Sequence, residues 1–211
     1  MENSPMVEQV SGGLLDPPRI DIGGAYLRPL RLDDVDAIHA YLRDPRVTEL
    51  TSFPVVSLAL AEAIINRSLT RWAAGEPSRW GIALPHDDQI VGTCGFVDWS
   101  RDHRWADLAY DLSVAQWGQG LMKRAITAAL RWAFQCHQID RVQAFVRVDN
   151  ERSARLLERC GFTREGCLRD YRVCRGRRYD FSIYGLLRSD AKATESLAPE
   201  IGHIIPPGRN T

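Results

Sequence analysis

The chain has 211 residues, 45% of them apolar and 9% aromatic, enough to bury one substantial core and short for two. Its 27 basic and 27 acidic residues cancel, which removes the bulk electrostatic pull that draws proteins to nucleic acid or anionic membranes. No apolar run approaches the about 20 residues of a membrane span, and residues 1–11 carry Glu2 and Glu8 where a secretory leader is basic and then apolar, so a cytoplasmic address is expected.

Residues 1–22 hold Gly12-Gly13 and Pro17-Pro18 without periodicity and read as a tail, as do residues 190–211 with Pro206-Pro207-Gly208. Between them residues 23–189 alternate strand and helix patterns, the mark of one α/β domain. Residues 26–30 open it as a short strand, and Asp33 or Asp34 can cap a helix whose Val35, Ile38 and Leu42 recur at helical spacing. A second helix spans 57–74, with Leu58, Ala61, Ile64, Ile65, Leu69 and Trp72 on one side and Gly75 at its end. Residues 80–84 and 89–98 flank Pro85-His86-Asp87-Asp88 as a hairpin, and 105–112 add a third strand to an antiparallel meander. A helix over 120–135, a strand over 141–148, a short helix over 153–159 and two strands over 162–172 and 179–187 complete the order.

The five cysteines, Cys94, Cys136, Cys160, Cys167 and Cys174, form no C-x-x-C pair, and His137 and His203 complete no ligand pattern with them. Neither a disulfide framework nor a metal site is indicated. The thiols are expected to pack, buried or half-buried, as small hydrophobes.

The most informative stretch is Trp117-Gly118-Gln119-Gly120-Leu121-Met122-Lys123-Arg124, which links a strand to an amphipathic helix. Glycine lets main chain approach a ligand closely, and free amides at a helix start act with the dipole to attract phosphate. Helix starts ordinarily collect Asp and Glu. Here no acidic residue occurs from Leu112 through Ile139, while Lys123, Arg124 and Arg131 add positive charge. A tight turn accounts for the two glycines alone; an anion site accounts for the charge pattern as well. A Walker A loop is excluded by the missing Gly-Lys-Ser/Thr, and a dinucleotide fingerprint by the missing third glycine.

Together with Ala109-Tyr110-Asp111-Leu112, Asn150-Glu151-Arg152-Ser153 and Cys160-Gly161-Phe162, this loop resembles the GNAT acetyltransferases. Arg164-Glu165-Gly166-Cys167-Leu168-Arg169-Asp170 extends the match toward the RimJ/RimL-like subgroup, which acetylates ribosomal protein N-termini. The resemblance covers residues 26–188 and implies an α/β (α+β) GNAT fold, a central mixed, mostly antiparallel, splayed sheet flanked by helices. It further implies acetyl-CoA in the opening, with the pyrophosphate on the amides of Trp117, Gly118, Gln119, Gly120, Leu121, Met122, Lys123 and Arg124. Asn150 matches a residue that helps hold the pantetheine side, and Ser153 one near the thioester sulfur. Trp117 replaces a more usual Gln or Arg, and Met122 a Gly or Ala. Leu157 stands where many members place the tyrosine that protonates the leaving thiolate, which makes Ser153 the replacement candidate.

Transfer from a thioester to an amine requires a deprotonated amine in line with the carbonyl and a proton for the departing sulfur. Asp107, in the strand before the loop where the family often carries glutamate, is the first candidate base, acting through a bridging water. A solvated strand carboxylate reads the same in sequence. Asp98 and Glu165 are poorer candidates, and Tyr110 and Tyr171 are secondary proton donors. Ser153 can serve the sulfur or cap a helix, and Asn150 could equally be that cap. Phe53, Trp99 and Tyr110 are candidates for the acceptor site, with Arg43, Asp44 and Arg46 as further contacts to a peptide or polyamine; Trp72, Trp80 and Trp105 are assigned to the core. No cysteine has the His partner of a covalent route. The acceptor is an amine, either a protein N-terminus or a small molecule such as a polyamine or aminoglycoside, while a non-catalytic acyl-CoA-binding domain would keep the same fold. No nucleic acid or membrane partner is expected, and a homodimer is left open.

Overall fold

Strand pairing organises the chain. The computed structural model describes residues 17–136, 139–195 and 204–205. Its strands are β1 (Arg19–Asp21), β2 (Tyr26–Pro29), β3 (Arg79–Ala83), β4 (Ile90–Ser100), β5 (Trp105–Leu112), β6 (Arg141–Arg147), β7 (Thr163–Cys174), β8 (Arg177–Leu187) and β9 (Ile204–Ile205). They form one sheet in the order β7-β8-β6-β5-β4-β3-β2-β1-β9. The helices are α1 (Val35–Leu42), α2 (Pro45–Thr48), α3 (Leu58–Ala73), α4 (Leu121–Cys136), α5 (Glu151–Arg159) and α6 (Arg188–Glu195). This is the mixed α/β architecture that the resemblance implies, including the antiparallel meander β3-β4-β5.

Local chemistry explains most boundaries. Ser57 caps α3 by accepting from the Leu60 N–H at 3.2 Å, and Asp44 caps α2 through the Arg46 N–H at 2.9 Å, with Pro45 at the first helical position. Asp34 precedes α1, but its buried carboxylate turns inward to accept two hydrogen bonds from Arg28, at 2.7 and 2.8 Å, and one from the Arg31 N–H at 2.6 Å. The amphipathic face of α4 buries Leu121, Ala125, Ile126, Ala129, Trp132 and Ala133 against the sheet. Trp132 meets Trp72 and Trp80 edge-on at centroid distances of 5.4 and 4.9 Å, arrangements worth about 0.5–1.5 kcal/mol beyond their area.

Several expectations are corrected. Residues 19–22 are not tail: β1 pairs with β2 and buries Ile20, and Ile22, just after the strand, is buried as well. The three-residue strand is too short to show a period between Pro17-Pro18 and Gly23-Gly24. At the other end, α6 runs through Glu195 and β9 pairs with β1, so residues 190–195 and 204–205 are structured elements. The rest of both expected tails lies outside the described residues. Cys94 and Cys174 are buried and Cys160 half-buried, but Cys167 is exposed on β7. The side chain of Cys136, and His137 and His203, lie outside the described set. Among the described residues no helix is long and apolar enough to cross a membrane.

One irregularity of the sheet positions the site. Only β5 and β6 run parallel among the described strands, and they pair over just Trp105↔Arg141, Ala106↔Val142 and Asp107↔Gln143. Beyond that point β5 continues to Leu112 along β4, and β6 to Arg147 along β8. The two halves of the sheet therefore part, and main-chain groups on both inner edges are left without a strand partner.

Candidate active site

The parting of β5 and β6 is occupied by two cavities that touch. The larger, of about 500 Å³, lies between the glycine loop and α5; the smaller, of about 250 Å³, lies between β5, β6 and β7. Thr51, Tyr110, Asn150 and Ser153 line both.

The larger cavity is built on main chain. Gly118 and Gly120 adopt φ of +78° and +70°, a left-handed conformation that strains any residue with a Cβ. Among the described residues, the N–H groups of Gly118 through Lys123 find no protein acceptor, and no acidic side chain lies in the first turn of α4. A helix end without a cap is an anion site in waiting. Trp117, Gly118, Gly120, Leu121, Met122 and Lys123 line the cavity. Gln119 and Arg124 send their side chains elsewhere: Gln119 donates to the Ala115 carbonyl at 3.2 Å, and Arg124 to the carbonyls of Gln119 at 3.0 Å and Ile22 at 2.7 Å. Trp117 is fixed by its indole N–H, which donates to the Leu112 carbonyl at 2.9 Å, and its ring carries the Arg152 guanidinium 3.4 Å from the centroid.

Sequence reasoning missed the basic side of this cavity. Arg152, Arg155 and Arg159 line it from α5, and their spacing of three and four residues was the available signal for one charged helix face. Uncapped amides, apolar Leu121 and Met122, and these guanidiniums together fit a diphosphate with an uncharged arm.

Where the two cavities meet, Asn150 caps α5 by accepting from the Ser153 N–H at 3.1 Å. That leaves the Ser153 hydroxyl free for the Tyr110 hydroxyl, 2.7 Å away. Burial pushes the Tyr110 pKa well up, so the phenol keeps its proton at neutral pH. Leu157, in contrast, is fully buried in the core and reaches neither cavity.

Asp107 sits half-buried at the apex of the splay and lines the smaller cavity. Its Oδ1 accepts from Gln143 Nε2 at 2.7 Å, the side-chain counterpart of the last β5–β6 pair. Burial raises its pKa, with the Gln143 hydrogen bond acting in the opposite direction. Phe53, Phe145 and Phe181 supply apolar wall, and Arg79, Arg147 and Arg172 supply charge. Those three arginines, from β3, β6 and β7, were not anticipated: each belongs to a different strand, and nothing in the local pattern marks it.

Trp99 is a correction. It lines neither cavity; the register shift between Phe96 and Asp98 turns the end of β4 away, and Trp99 packs half-buried against the core with Arg101 over its ring. Asp98 is exposed and accepts from the Trp99 N–H, Glu165 is engaged by both terminal nitrogens of Arg141, and Tyr171 is exposed beside Phe145. Arg43, Asp44 and Arg46 line neither cavity, and Asp44 pairs with Arg46.

The chain matches the family model of the acetyltransferase (GNAT) domain over residues 25–163. It is 30% identical over 165 residues to the uncharacterized N-acetyltransferase p20 of Bacillus licheniformis, covering 78% of this chain and 93% of that one. With the ribosomal protein uS5 alanine N-acetyltransferase of Escherichia coli K12 it shares 32% identity over 117 residues, 55% of this chain and 60% of the other. Its fold superposes on spermidine N-acetyltransferase from Vibrio cholerae in complex with CoA and spermine at a TM-score of 0.69 and 22% identity, covering 80% of this chain and 98% of that one.

Proposed function

The chain belongs to the GNAT acetyltransferase family and is an acetyl-CoA-dependent N-acetyltransferase; from that premise we propose that its acceptor is a primary amine at a protein N-terminus, as in the RimJ/RimL-like subgroup. The observation that carries this is the charge of the smaller cavity. Asp107 is its one carboxylate, against the guanidiniums of Arg79, Arg147 and Arg172. A polyamine brings several positive charges and needs several carboxylates, whereas a peptide N-terminus brings one ammonium followed by uncharged amides. The relative from Escherichia coli, named for alanine of a ribosomal protein, supports the same choice.

In this reading the amides of Gly118 through Lys123, with Lys123 and Arg152, hold the diphosphate. When bound, acetyl-CoA supplies the activated acyl group. Asp107 takes the ammonium proton through a water, which frees the nitrogen lone pair for the carbonyl carbon. As the new C–N bond forms and the C–S bond breaks, the Tyr110 hydroxyl, paired with Ser153, would deliver a proton to the leaving sulfur, and the second proton shed by the attacking nitrogen would restore the phenol through the Ser153 hydroxyl. Ser153 in turn is held at the start of α5 by the Asn150 cap.

Thiol release measured with acetyl-CoA over peptides beginning with Ala or Ser, and over spermidine, tests the proposal. Turnover is expected on peptides and not on spermidine. Turnover on spermidine with none on any peptide overturns it.

A further inference from the structure

Four charged side chains line the acceptor cavity, and two of them are already neutralised. Arg79 pairs with Asp111 at 2.8 Å, and Arg147 with Asp149 at 2.6 Å. Two charges remain without a countercharge in direct contact. One is the carboxylate of Asp107, whose side-chain partner is the neutral amide of Gln143. The other is the half-buried guanidinium of Arg172, which makes no ion pair among the described residues. It is held by aromatic faces, with its central carbon 5.1 Å from the ring centroids of Phe145 and Tyr171 and 5.4 Å from that of Phe181. Its one hydrogen bond to protein, to the Ser52 hydroxyl, is long at 3.4 Å.

The backbone supports this placement. The β7–β8 register shifts between Leu168 and Arg172, and Asp170 within that stretch takes φ of +51°. The shift is stabilised by the Asp170 N–H donating to Asp180 at 2.9 Å and by Arg178 donating to the Asp170 carbonyl at 3.1 Å. Bulges of this kind re-aim the side chain that follows, here Arg172. Asp107 and Arg172 line the same cavity of about 250 Å³, which places both within reach of one ligand.

We propose that the acceptor carries a carboxylate beside its reactive amine, with Asp107 facing the amine and Arg172 facing the carboxylate. The inference rests on the acceptor reading above only in taking the acceptor as a primary amine; a free amino acid as the favoured source would displace the protein N-terminus from that reading. Two sources share this chemistry: an acidic side chain next to a peptide N-terminus, and the α-carboxylate of a free amino acid. Only these two charges of the wall are free to meet a ligand of mixed charge, and a guanidinium recognises a carboxylate through paired, charge-assisted hydrogen bonds.

The test compares kcat/KM for peptides matched except for Glu or Gln at the second position, and for free alanine against alanine amide. The carboxylate member of one pair is expected to be favoured about tenfold or more, mainly through KM, and the favoured pair names the source. In Arg172→Gln that ratio falls to about one, and Arg172→Lys keeps part of it through its point charge. Raising the salt lowers the wild-type ratio. A wild-type ratio near one for both pairs, or a ratio that survives Arg172→Gln, overturns the proposal. Should Arg172→Gln fail to fold, the wild-type ratios and their salt dependence decide alone. Turnover without charge preference removes only the role of Arg172, whereas absence of turnover on peptides and amino acids alike removes the acceptor reading with it.

Discussion

The loop entering α4 offers main chain to its cavity, whereas the wall across the splay offers side chains. On the loop, amides and the φ of two glycines set the chemistry, so side-chain identity is secondary: Trp117 and Met122 depart from the commoner choices while the donors remain exposed. On the wall, Asp107, Arg172 and three phenylalanines from separate segments line the cavity, so a single substitution would change its shape or charge. A backbone site is conservative in sequence space and a side-chain site is adjustable, which is how one fold keeps one acyl donor while changing acceptors.

The sharpest way to break the comparison is charge on the loop. Gly120→Glu places a carboxylate among the donors and is expected to weaken coenzyme A binding by about a hundredfold or more, measured by calorimetry. Gly120→Ala shares the strained φ of +70°, with only the tip of Arg124 3.4 Å from the new Cβ, and carries no charge. It should lose about 1–2 kcal/mol of stability and keep far more affinity. Equal losses in both variants would attribute binding to backbone shape and not to charge, and normal binding in both would remove the loop from the site.

Asp107→Asn probes the wall. Loss of a general base lowers kcat/KM by about 10²-fold or more; the deficit grows as pH falls below the range in which the amine is already free, and stops growing once Asp107 of the parent is itself protonated. A rate like that of the parent across the range would assign Asp107 to solvation only.

The smallest effect sharpens the description of the apex. Burial raises the Asp107 pKa and the Gln143 hydrogen bond opposes it, so Gln143→Leu removes the lowering influence. A base works deprotonated; a further rise in its pKa moves the acid limb of kcat/KM to higher pH, at a cost below about tenfold at neutral pH. A limb that stays in place would separate Gln143 from the titration of the base.

The same contrast explains what was legible in the sequence. The core helices α3 and α4 and the meander β3-β4-β5 announce themselves through apolar periods of 3.6 and 2, and the loop entering α4 through two glycines and a long absence of acids. These are local signals. The wall is not local: Arg79, Phe145, Arg172 and Phe181 converge because β5 and β6 part, and the parting depends on where pairing stops, at Asp107 and Gln143. Trp99 was misplaced for a related reason, since the register shift after Phe96 changes which way the end of β4 faces without any residue that signals it. The short α2 is set by a capping Asp44 and by Pro45 in only four residues, too few for a period to emerge.

Arg124 gives the first visible strand an unexpected reach. Its guanidinium clasps the carbonyl of Ile22, 102 positions earlier in the chain, and with the same group steadies Gln119 at the crest of the loop. The end of the segment that reads as a tail is thus tied to the crest of the glycine loop. In the proposed reading, tags or trims that disturb residues 19–22 would loosen the loop that holds the diphosphate.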